Sequence, residues 1–271
     1  MTRATVTVVL TSYEDPRIQA TLESLSEQAR PADQILITDG SRDPAIRAQL
    51  AAWAGAHGAD LIHETGSSVA RARNLALEAA TGSVLAFLDT DQRAPSHWLD
   101  ALIAPLEAGE VDWTGGPTKP QASLPVMALK ERRLYAAAEL DPTRIPMGNS
   151  AWKRTIFDQV GSFDEALDRG GEDWDLALRA ANAGFHGRLV PEAWVHHDLT
   201  GIDSYATLAK KQYRYNVGGA MAYLKNDRFK DRASQRYPTV GRHWFDLVEP
   251  VLKAAALPVA WWRLRKLDDD A

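Results

Sequence analysis

The chain contains no cysteine, which excludes disulfide bonds, thiolate zinc sites and thiol nucleophiles. Long hydrophobic runs are also missing: the longest, AAALPVAWW near the C-terminus, is far shorter than the roughly 20 residues that span a bilayer. There is no excess of positive charge, since the net charge is −5, so we expect no nucleic acid as a partner. The phosphate-binding motif GxxxxGK[ST] is absent as well.

The 271 residues have the composition of an ordinary globular protein, with 45% hydrophobic and 25% charged residues. This length is enough for one α/β domain with an appended helical tail. The first apolar run ends at Leu10, too early for the hydrophobic region of a signal peptide, and we interpret it as a strand. We therefore expect a cytoplasmic protein.

Strand-like and helix-like segments alternate in the first half of the chain. The predicted strands are residues 5–10, 34–38, a stretch around Leu61 and residues 83–88. Between them lie an amphipathic segment around Leu22 and two alanine-rich segments, residues 45–56 and 68–80. Strict alternation predicts a Rossmann-like, mostly parallel sheet with helices on both faces.

The second half is less regular. From about Gly115 to Ser150 prolines interrupt the periodicity, so we expect irregular loops there. A helical pattern returns at residues 172–182, where Trp174 and Leu178 share one face and Gly184 suits the C-terminal cap. From Tyr205 onward the sequence predicts a helical tail.

Two acids follow the fourth predicted strand, in the stretch VLAFLDTDQ, where only Thr90 separates Asp89 from Asp91. Ligands of open parallel sheets bind at the carboxyl ends of the strands. Two carboxylates at this spacing can turn toward one hard cation, which prefers oxygen ligands. By itself the triplet also fits a solvated turn between a strand and a helix.

Four blocks, in this order, resemble the inverting glycosyltransferases of family 2, which have the GT-A fold. They are VTVVLTSYED, ILITDGSRD, GSSVARARNLALEAATGSVLAFLDTD and MGNSAWKRTIFDQVGSFDEALDRGGEDWDLALRAANAGF. The resemblance covers roughly residues 4–200. It implies a GT-A domain over residues 1–203, with a nucleotide-binding half (1–114) and an acceptor-binding half (115–203), followed by a helical extension (204–271).

The resemblance also implies a nucleotide-diphosphate sugar as the donor. The matching donor-binding positions are Thr11, Tyr13, Asp39, Arg71, Asp89, Thr90, Gly148 and Asn149. Among them Asp39 corresponds to an acid that accepts a hydrogen bond from the nucleobase, and Thr38 replaces the acid that usually precedes it. Position favours Arg71 over Arg73 as a phosphate contact.

The remaining matches concern the metal and the chemistry. Asp91 corresponds to a direct ligand of Mn²⁺ or Mg²⁺, and His197, favoured over His196, to a further ligand. Asp173 corresponds to the catalytic base of the family's ED pair, and repulsion from Glu172 is expected to raise the pKa of Asp173. By themselves, Glu172 and Asp173 also fit the acidic residues that are common in the first turn of any helix.

The C-terminal stretch LPVAWWRLRKL joins two tryptophans to three cations, a composition typical of an interfacial helix. It predicts peripheral membrane contact, with packing or a homodimer as the alternatives. The acceptor is then an unknown sugar, lipid-linked or small molecule. Two other functions stay open: a non-catalytic nucleotide- or sugar-binding module of the same fold, and a nucleotidyl or phosphoryl transferase.

Overall fold

A seven-stranded sheet organises the chain in the computed structural model, which describes residues 3–122, 124–167, 170–227 and 247–269. Its strands are β1 (Val6–Ser12), β2 (Gln34–Asp39), β3 (Asp60–His63), β4 (Val84–Leu88), β6 (Trp113–Gly115), β8 (Asn149–Lys153) and β9 (Gly187–Leu189). They are ordered β3-β2-β1-β4-β8-β6-β9. Only the two pairings of β8 are antiparallel, so the predicted mostly parallel sheet is confirmed.

Apolar side chains cover both faces of this sheet because successive residues of a strand point to opposite sides. In β1, Val8 and Leu10 face one core and Val9 faces the other. The first core includes side chains of α1 (Ile18–Ser26), α2 (Pro44–Ala56) and α4 (Trp98–Glu107). The second includes side chains of α3 (Val69–Ala79), α6 (Arg154–Val160) and α7 (Glu172–Asn182). Helices therefore lie on both faces, as predicted.

A second, three-stranded sheet lies beside the carboxyl end of β4. It consists of β5 (Gln92–Arg93), β10 (Val195–Asp198) and β7 (Thr118–Gln121), with β10 in the middle. β10 runs antiparallel to β5 and parallel to β7. Because β5 begins immediately after Asp91, this small sheet brings the segment that carries the histidines next to the two acids.

The expectation of irregular structure from Gly115 to Ser150 is wrong for much of that segment. It contains β6, β7, the 16-residue helix α5 (Pro125–Leu140) and a 3-10 turn, Pro142–Arg144. The prolines occupy positions that tolerate them. Pro125 is in the first turn of α5, and Pro120 lies in an edge strand, where a missing N–H does not interrupt the sheet.

The tail is helical where the structure describes it. α8 (Tyr205–Lys225) and α9 (Glu249–Asp269) pack against each other through Val217, Ala220, Ala256 and Ala260. Residues 228–246 and 270–271 of the predicted tail lie outside the described residues. In the described part of the chain, no helix combines the length and the apolar character needed to cross a membrane.

Backbone contacts between glycines join α8 to the start of α7. A Cβ atom at Gly218 of α8 would lie 2.0 Å from the carbonyl oxygen of Gly170, and one at Gly171 would lie 2.3 Å from the carbonyl oxygen of Gly218. The next residue, Gly219, lies against the indole of Trp174. Only glycine allows this approach, so α8 contributes directly to the position of the first turn of α7.

We expect Gly218→Ala to lower the free energy of unfolding by about 1–3 kcal/mol, because the methyl group would overlap rigid backbone. Gly55→Ala is the matched control: Gly55 also lies in a helix, yet a Cβ there would meet no atom within 4 Å. The control should be stabilising, by up to ~1 kcal/mol. Urea unfolding of both variants measures the difference, and equal stability of the two would contradict the packing argument.

Candidate active site

A cleft of about 1320 Å³ opens at the carboxyl ends of β1 and β4. The predicted residues that line it are Thr11, Asp89, Thr90, Asp91, Gly148, Glu172, Asp173 and His197. Further walls come from α5, α8 and the start of α9. Residues from both ends of the chain therefore enclose one space.

Asp89 is held by the strand next to it. Its backbone N–H donates to the carbonyl of Gly148 at 3.0 Å, continuing the β4–β8 pairing in which Leu88 lies opposite Asn149. A Cβ atom at Gly148 would lie 2.0 Å from Oδ2 of Asp89, so the carboxylate occupies the space that glycine leaves open. Burial, and secondarily the charge of Asp91, raises the pKa of Asp89.

Asp91 lies between a histidine and an arginine side chain. Its Oδ2 is 3.5 Å from Nε2 of His197 and 3.7 Å from Nη1 of Arg17, which also forms a close ion pair with Asp15. Burial acts to raise the pKa of Asp91, but the hydrogen bond and charge of His197 and the charge of Arg17 lower it overall. Asp91 is thus favoured as a carboxylate.

The small sheet determines which histidine faces Asp91. His197 lies opposite Gln92 in the β10–β5 pairing, and the N–H of the next residue, Asp198, donates to the carbonyl of Asp91 at 2.8 Å. Alternation along the strand turns His196 outward, where its ring packs edge-on against Trp194. Of the two histidines, only His197 lines the cleft.

The Asp91–His197 pair suits a divalent cation. A carboxylate oxygen and an imidazole nitrogen face each other at 3.5 Å, and Mn²⁺ accepts both kinds of ligand. The other ring nitrogen of His197, Nδ1, is buried without a hydrogen-bond partner among the described residues. Within those residues no group of three ligating side chains is preassembled, so a cation here would need further oxygen ligands from a bound molecule or water.

The ED pair divides into a buried and an accessible acid. Glu172 is buried and accepts a 2.7 Å hydrogen bond from Nη1 of Arg73, whereas Asp173 is partly exposed to the cleft. Burial and the charge of Asp173 raise the pKa of Glu172 to about 7, against the opposing effect of Arg73. A buried Glu172 with a raised pKa thus lies beside the accessible Asp173.

Arg71 lies outside the cleft, although position had favoured it as the phosphate contact. Its guanidinium pairs with the solvent-facing Glu64 at 3.0 Å. Arg73, two residues further along α3, points to the opposite side and lines the cleft. A helix turns by about 100° per residue, so residues two apart face nearly opposite directions.

Asn149 and Asp39 use their polar atoms inside the protein. The Asn149 side chain accepts from Trp98 at 2.7 Å and donates to the carbonyl of Ala193 at 2.9 Å, behind the cleft wall. Asp39 accepts from the N–H and O–H of Ser41, and its other oxygen lies 2.9 Å from Nδ1 of His63. Its side chain is only 1% exposed, so a nucleobase would reach it only after His63 moved.

Tyr13 and Thr90 lie just beyond the carboxyl ends of β1 and β4. Tyr13 is 53% exposed at the end of β1 and lies beside Gly40, in the turn that Asp39 organises. Thr90 is buried, and its hydroxyl lies 3.3 Å from Oδ2 of Asp15. Their predicted roles toward a donor remain predictions.

Three residues that line the cleft escape the sequence analysis, Glu131, Tyr135 and Lys211, and so does Arg17, which lies beside Asp91. Arg73 was considered there, but Arg71 was preferred. Glu131 and Tyr135 belong to α5, which proline content had suggested was irregular. A signal for Arg73 does exist, since on a helical projection it shares the buried side of α3 with Ala70 and Ala76. Trp152 is a core residue whose ring stacks on that of Trp113, with 5.1 Å between the ring centroids.

Comparison with solved structures identifies the fold as that of the GT-A glycosyltransferases. The mannosyltransferase PcManGT from Pyrobaculum calidifontis, solved in complex with GDP-Man and Mn²⁺, has a TM-score of 0.64 and 20% identity. The match covers 100% of this chain and 76% of that one.

The family model for glycosyl transferase family 2 matches residues 7–163, more than half of the chain. The protein belongs to this family. Similar sequences include the succinoglycan biosynthesis protein ExoM of Rhizobium meliloti, 29% identical over 226 residues that make up 75% of this chain and 70% of ExoM. Glycosyltransferase AglE of Haloferax volcanii is 25% identical over 243 residues, 81% of this chain and 74% of AglE.

Arg73 and Arg71 provide a matched pair for a stability test. Arg73→Ala would leave Glu172 buried without its partner, and we expect a loss of about 3–5 kcal/mol in the free energy of unfolding. Arg71→Ala removes a solvent-facing ion pair and should change stability little. Chemical denaturation of both variants at neutral pH measures the contrast. Comparable losses would show that the Arg73–Glu172 pair has no special structural weight.

Proposed function

We propose that the protein transfers a sugar, with inversion at the anomeric carbon, from a nucleotide-diphosphate sugar to an acceptor hydroxyl. The observation that carries the proposal is that Asp89, Asp91, His197 and Asp173 line one cleft. This arrangement combines a cation-binding edge with an accessible carboxylate, and it occurs in a chain of glycosyl transferase family 2.

The donor would lie along the carboxyl ends of β1 and β4. Thr11 and Tyr13 would contact the nucleoside, while Asp89, whose carboxylate lies beside Gly148 in the cleft lining, would face the ribose or sugar. A carboxylate accepts hydrogen bonds from sugar hydroxyls, which suits this position. Arg73 is a better candidate than Arg71 for a nearby positive charge, because Arg73 lines the cleft.

Asp91 and His197 would hold Mn²⁺ or Mg²⁺ together with the diphosphate. When bound, such a cation neutralises the negative charge that develops on the departing nucleoside diphosphate. The fold neighbour PcManGT was solved with GDP-Man and Mn²⁺, which supports the same combination of ligands here. Arg17 would keep Asp91 oriented from the other side.

Asp173 would act as the base. In a single displacement the acceptor oxygen bonds to the anomeric carbon while the bond from that carbon to the diphosphate breaks, and the nucleoside diphosphate leaves with the electron pair. The proton of the acceptor hydroxyl passes to a carboxylate. Asp173 is open to the cleft, whereas Glu172 is buried against Arg73. Glu172 would therefore position the first turn of α7, which carries Asp173.

Donor binding can be tested by thermal unfolding with UDP, GDP, TDP and CDP, each with and without Mn²⁺. A ligand of the folded state present at a hundredfold excess over its Kd adds about 2.7 kcal/mol of stability. We expect one nucleotide to stabilise the protein strongly only with Mn²⁺. The substitution Asp91→Asn should remove the part of this stabilisation that depends on Mn²⁺. The matched control is Asp60→Asn, on the exposed edge strand β3, which should respond like the unchanged protein. If no nucleotide stabilised the protein, the result would favour a non-catalytic module of the same fold over an enzyme.

The base can be tested with sugar donors that carry the nucleotide identified by this screen. We expect Asp173→Asn to lower kcat for transfer to simple glycosides by roughly 10²–10⁴-fold, with binding of the nucleotide and Mn²⁺ unchanged, because only proton transfer is lost. Glu172→Gln keeps the shape of the buried partner and should reduce kcat less. Unchanged transfer by Asp173→Asn would remove Asp173 from the base role, and a larger loss with Glu172→Gln would assign that role to Glu172.

A further inference from the structure

An apolar stripe begins just before α9 and follows the outward face of the helix as far as Trp262, beyond which the exposed residues include Arg265 and Lys266. We call it the outer stripe: Leu247, Val251, Ala254, Pro258, Trp261 and Trp262. These residues follow one another at intervals of mostly three or four, so they share one side of the helix. The exposed fractions are 80% for Leu247, 65% for Val251, 54% for Trp261 and 55% for Trp262.

The opposite face of α9 already has a partner. Ala256 and Ala260 are buried against Val217 and Met221 of α8, and Leu257 and Leu264 pack at the margins of this contact. The helix is therefore apolar on two sides, and the described residues of the chain cover only one of them. A helix at the surface of a water-soluble protein normally carries polar side chains on its outward face. Contiguous exposed apolar surface of this kind marks an interaction site.

Charge indicates what the outer stripe contacts. Between Glu249 at the start of α9 and the acids that begin at Asp268 near its end, there are four cationic residues and no acidic one: Lys253, Arg263, Arg265 and Lys266. Arg265 lies 4.7 Å from the ring centre of Trp261, and Lys266 lies 4.9 Å from that of Trp262. Tryptophan beside arginine and lysine is the combination that sits at the headgroup level of a bilayer.

The outer stripe begins at the cleft. Leu247, its first residue, and Pro250 in the first turn of α9 both line the mouth of the cleft that contains Asp89 and Asp173. The apolar surface thus continues from the site to the far end of α9, where the tryptophans lie. A surface on which the stripe rested would lie next to the cleft mouth.

From these observations we infer that the outer stripe of α9 binds the surface of an anionic lipid bilayer, with Trp261 and Trp262 at the headgroup level and the cleft mouth beside the membrane. Apolar area and cations supply the two contributions that interfacial helices combine. This inference does not depend on the identity of the donor or on which residue is the base.

The test is flotation of the full-length protein with vesicles of phosphatidylcholine alone and with an equal mixture of phosphatidylcholine and phosphatidylglycerol. We expect binding to the anionic vesicles that weakens as salt is added. The double variant Trp261→Ser/Trp262→Ser should bind more than ~10-fold more weakly, since two large aromatic anchors are lost. Arg265→Gln should bind ~5-fold more weakly, as expected for one surface cation.

Arg47→Gln is the matched control, because Arg47 is an exposed arginine on α2, outside the outer stripe. It should bind like the unchanged protein. Binding that survives the double tryptophan substitution, or that is equal on the two kinds of vesicle, would overturn the inference. The inference would also be overturned if sedimentation showed a dimer that the double variant abolishes, while the unchanged protein bound neither kind of vesicle.

Thermal unfolding of the double variant without lipid shows whether the substitutions affect folding as well as lipid binding. The double variant should unfold at the same temperature as the unchanged protein, because both tryptophans are more than half exposed. A marked drop would show that other residues of this chain cover the outer stripe, and this would also overturn the inference. Nucleotide-dependent stabilisation of the double variant, measured in parallel, tells a failure of lipid binding apart from a failure of the proposed function.

Discussion

The contact between Asp89 and the backbone of Gly148 is the constraint on which the cleft depends. The antiparallel pairing of β4 with β8 places Gly148 beside the first acid, and the absence of a side chain there makes room for the carboxylate. From Asp89 the chain continues through Asp91 into β5, whose pairing with β10 positions His197. Together, the β4–β8 and β5–β10 pairings fix the positions of both acids and of the histidine.

Electrostatics explains why so many charges can share this space. Burial disfavours the ionised forms of Asp89 and Glu172, and so does the charge of a neighbouring acid, Asp91 for Asp89 and Asp173 for Glu172. Both acids have raised pKa values. Arg73 compensates at Glu172, while His197 and Arg17 lower the pKa of Asp91. Asp91 is consequently the carboxylate best prepared to meet a cation, and Asp173, which faces the open cleft, is the acid best placed to meet an acceptor.

The two C-terminal helices have different relations to this site. The glycines of α8 pack against the backbone just before α7, so α8 helps to position Asp173 in the first turn of α7. The sequence-based division into a domain and a C-terminal extension does not convey this contact. α9 covers α8 with one face, and its other face extends the apolar mouth of the cleft. On the two proposals above, the sugar-transfer site and the lipid-binding surface lie side by side.

The sequence by itself determined the alternating strands and helices, the mostly parallel sheet, the family and the stretches that contain the acids, because periodicity and short motifs are local properties of the chain. Tertiary structure decided the rest. The choice of Arg73 over Arg71 depends on which side of α3 meets the cleft, and the burial of Asn149 on the other side of β8 depends on strand pairing. α5 was hidden by prolines that turned out to lie at a helix start and in an edge strand. Contacts such as Asp91 with His197, 106 positions apart in the chain, arise only when β5 and β10 pair, and no local pattern can encode that distance.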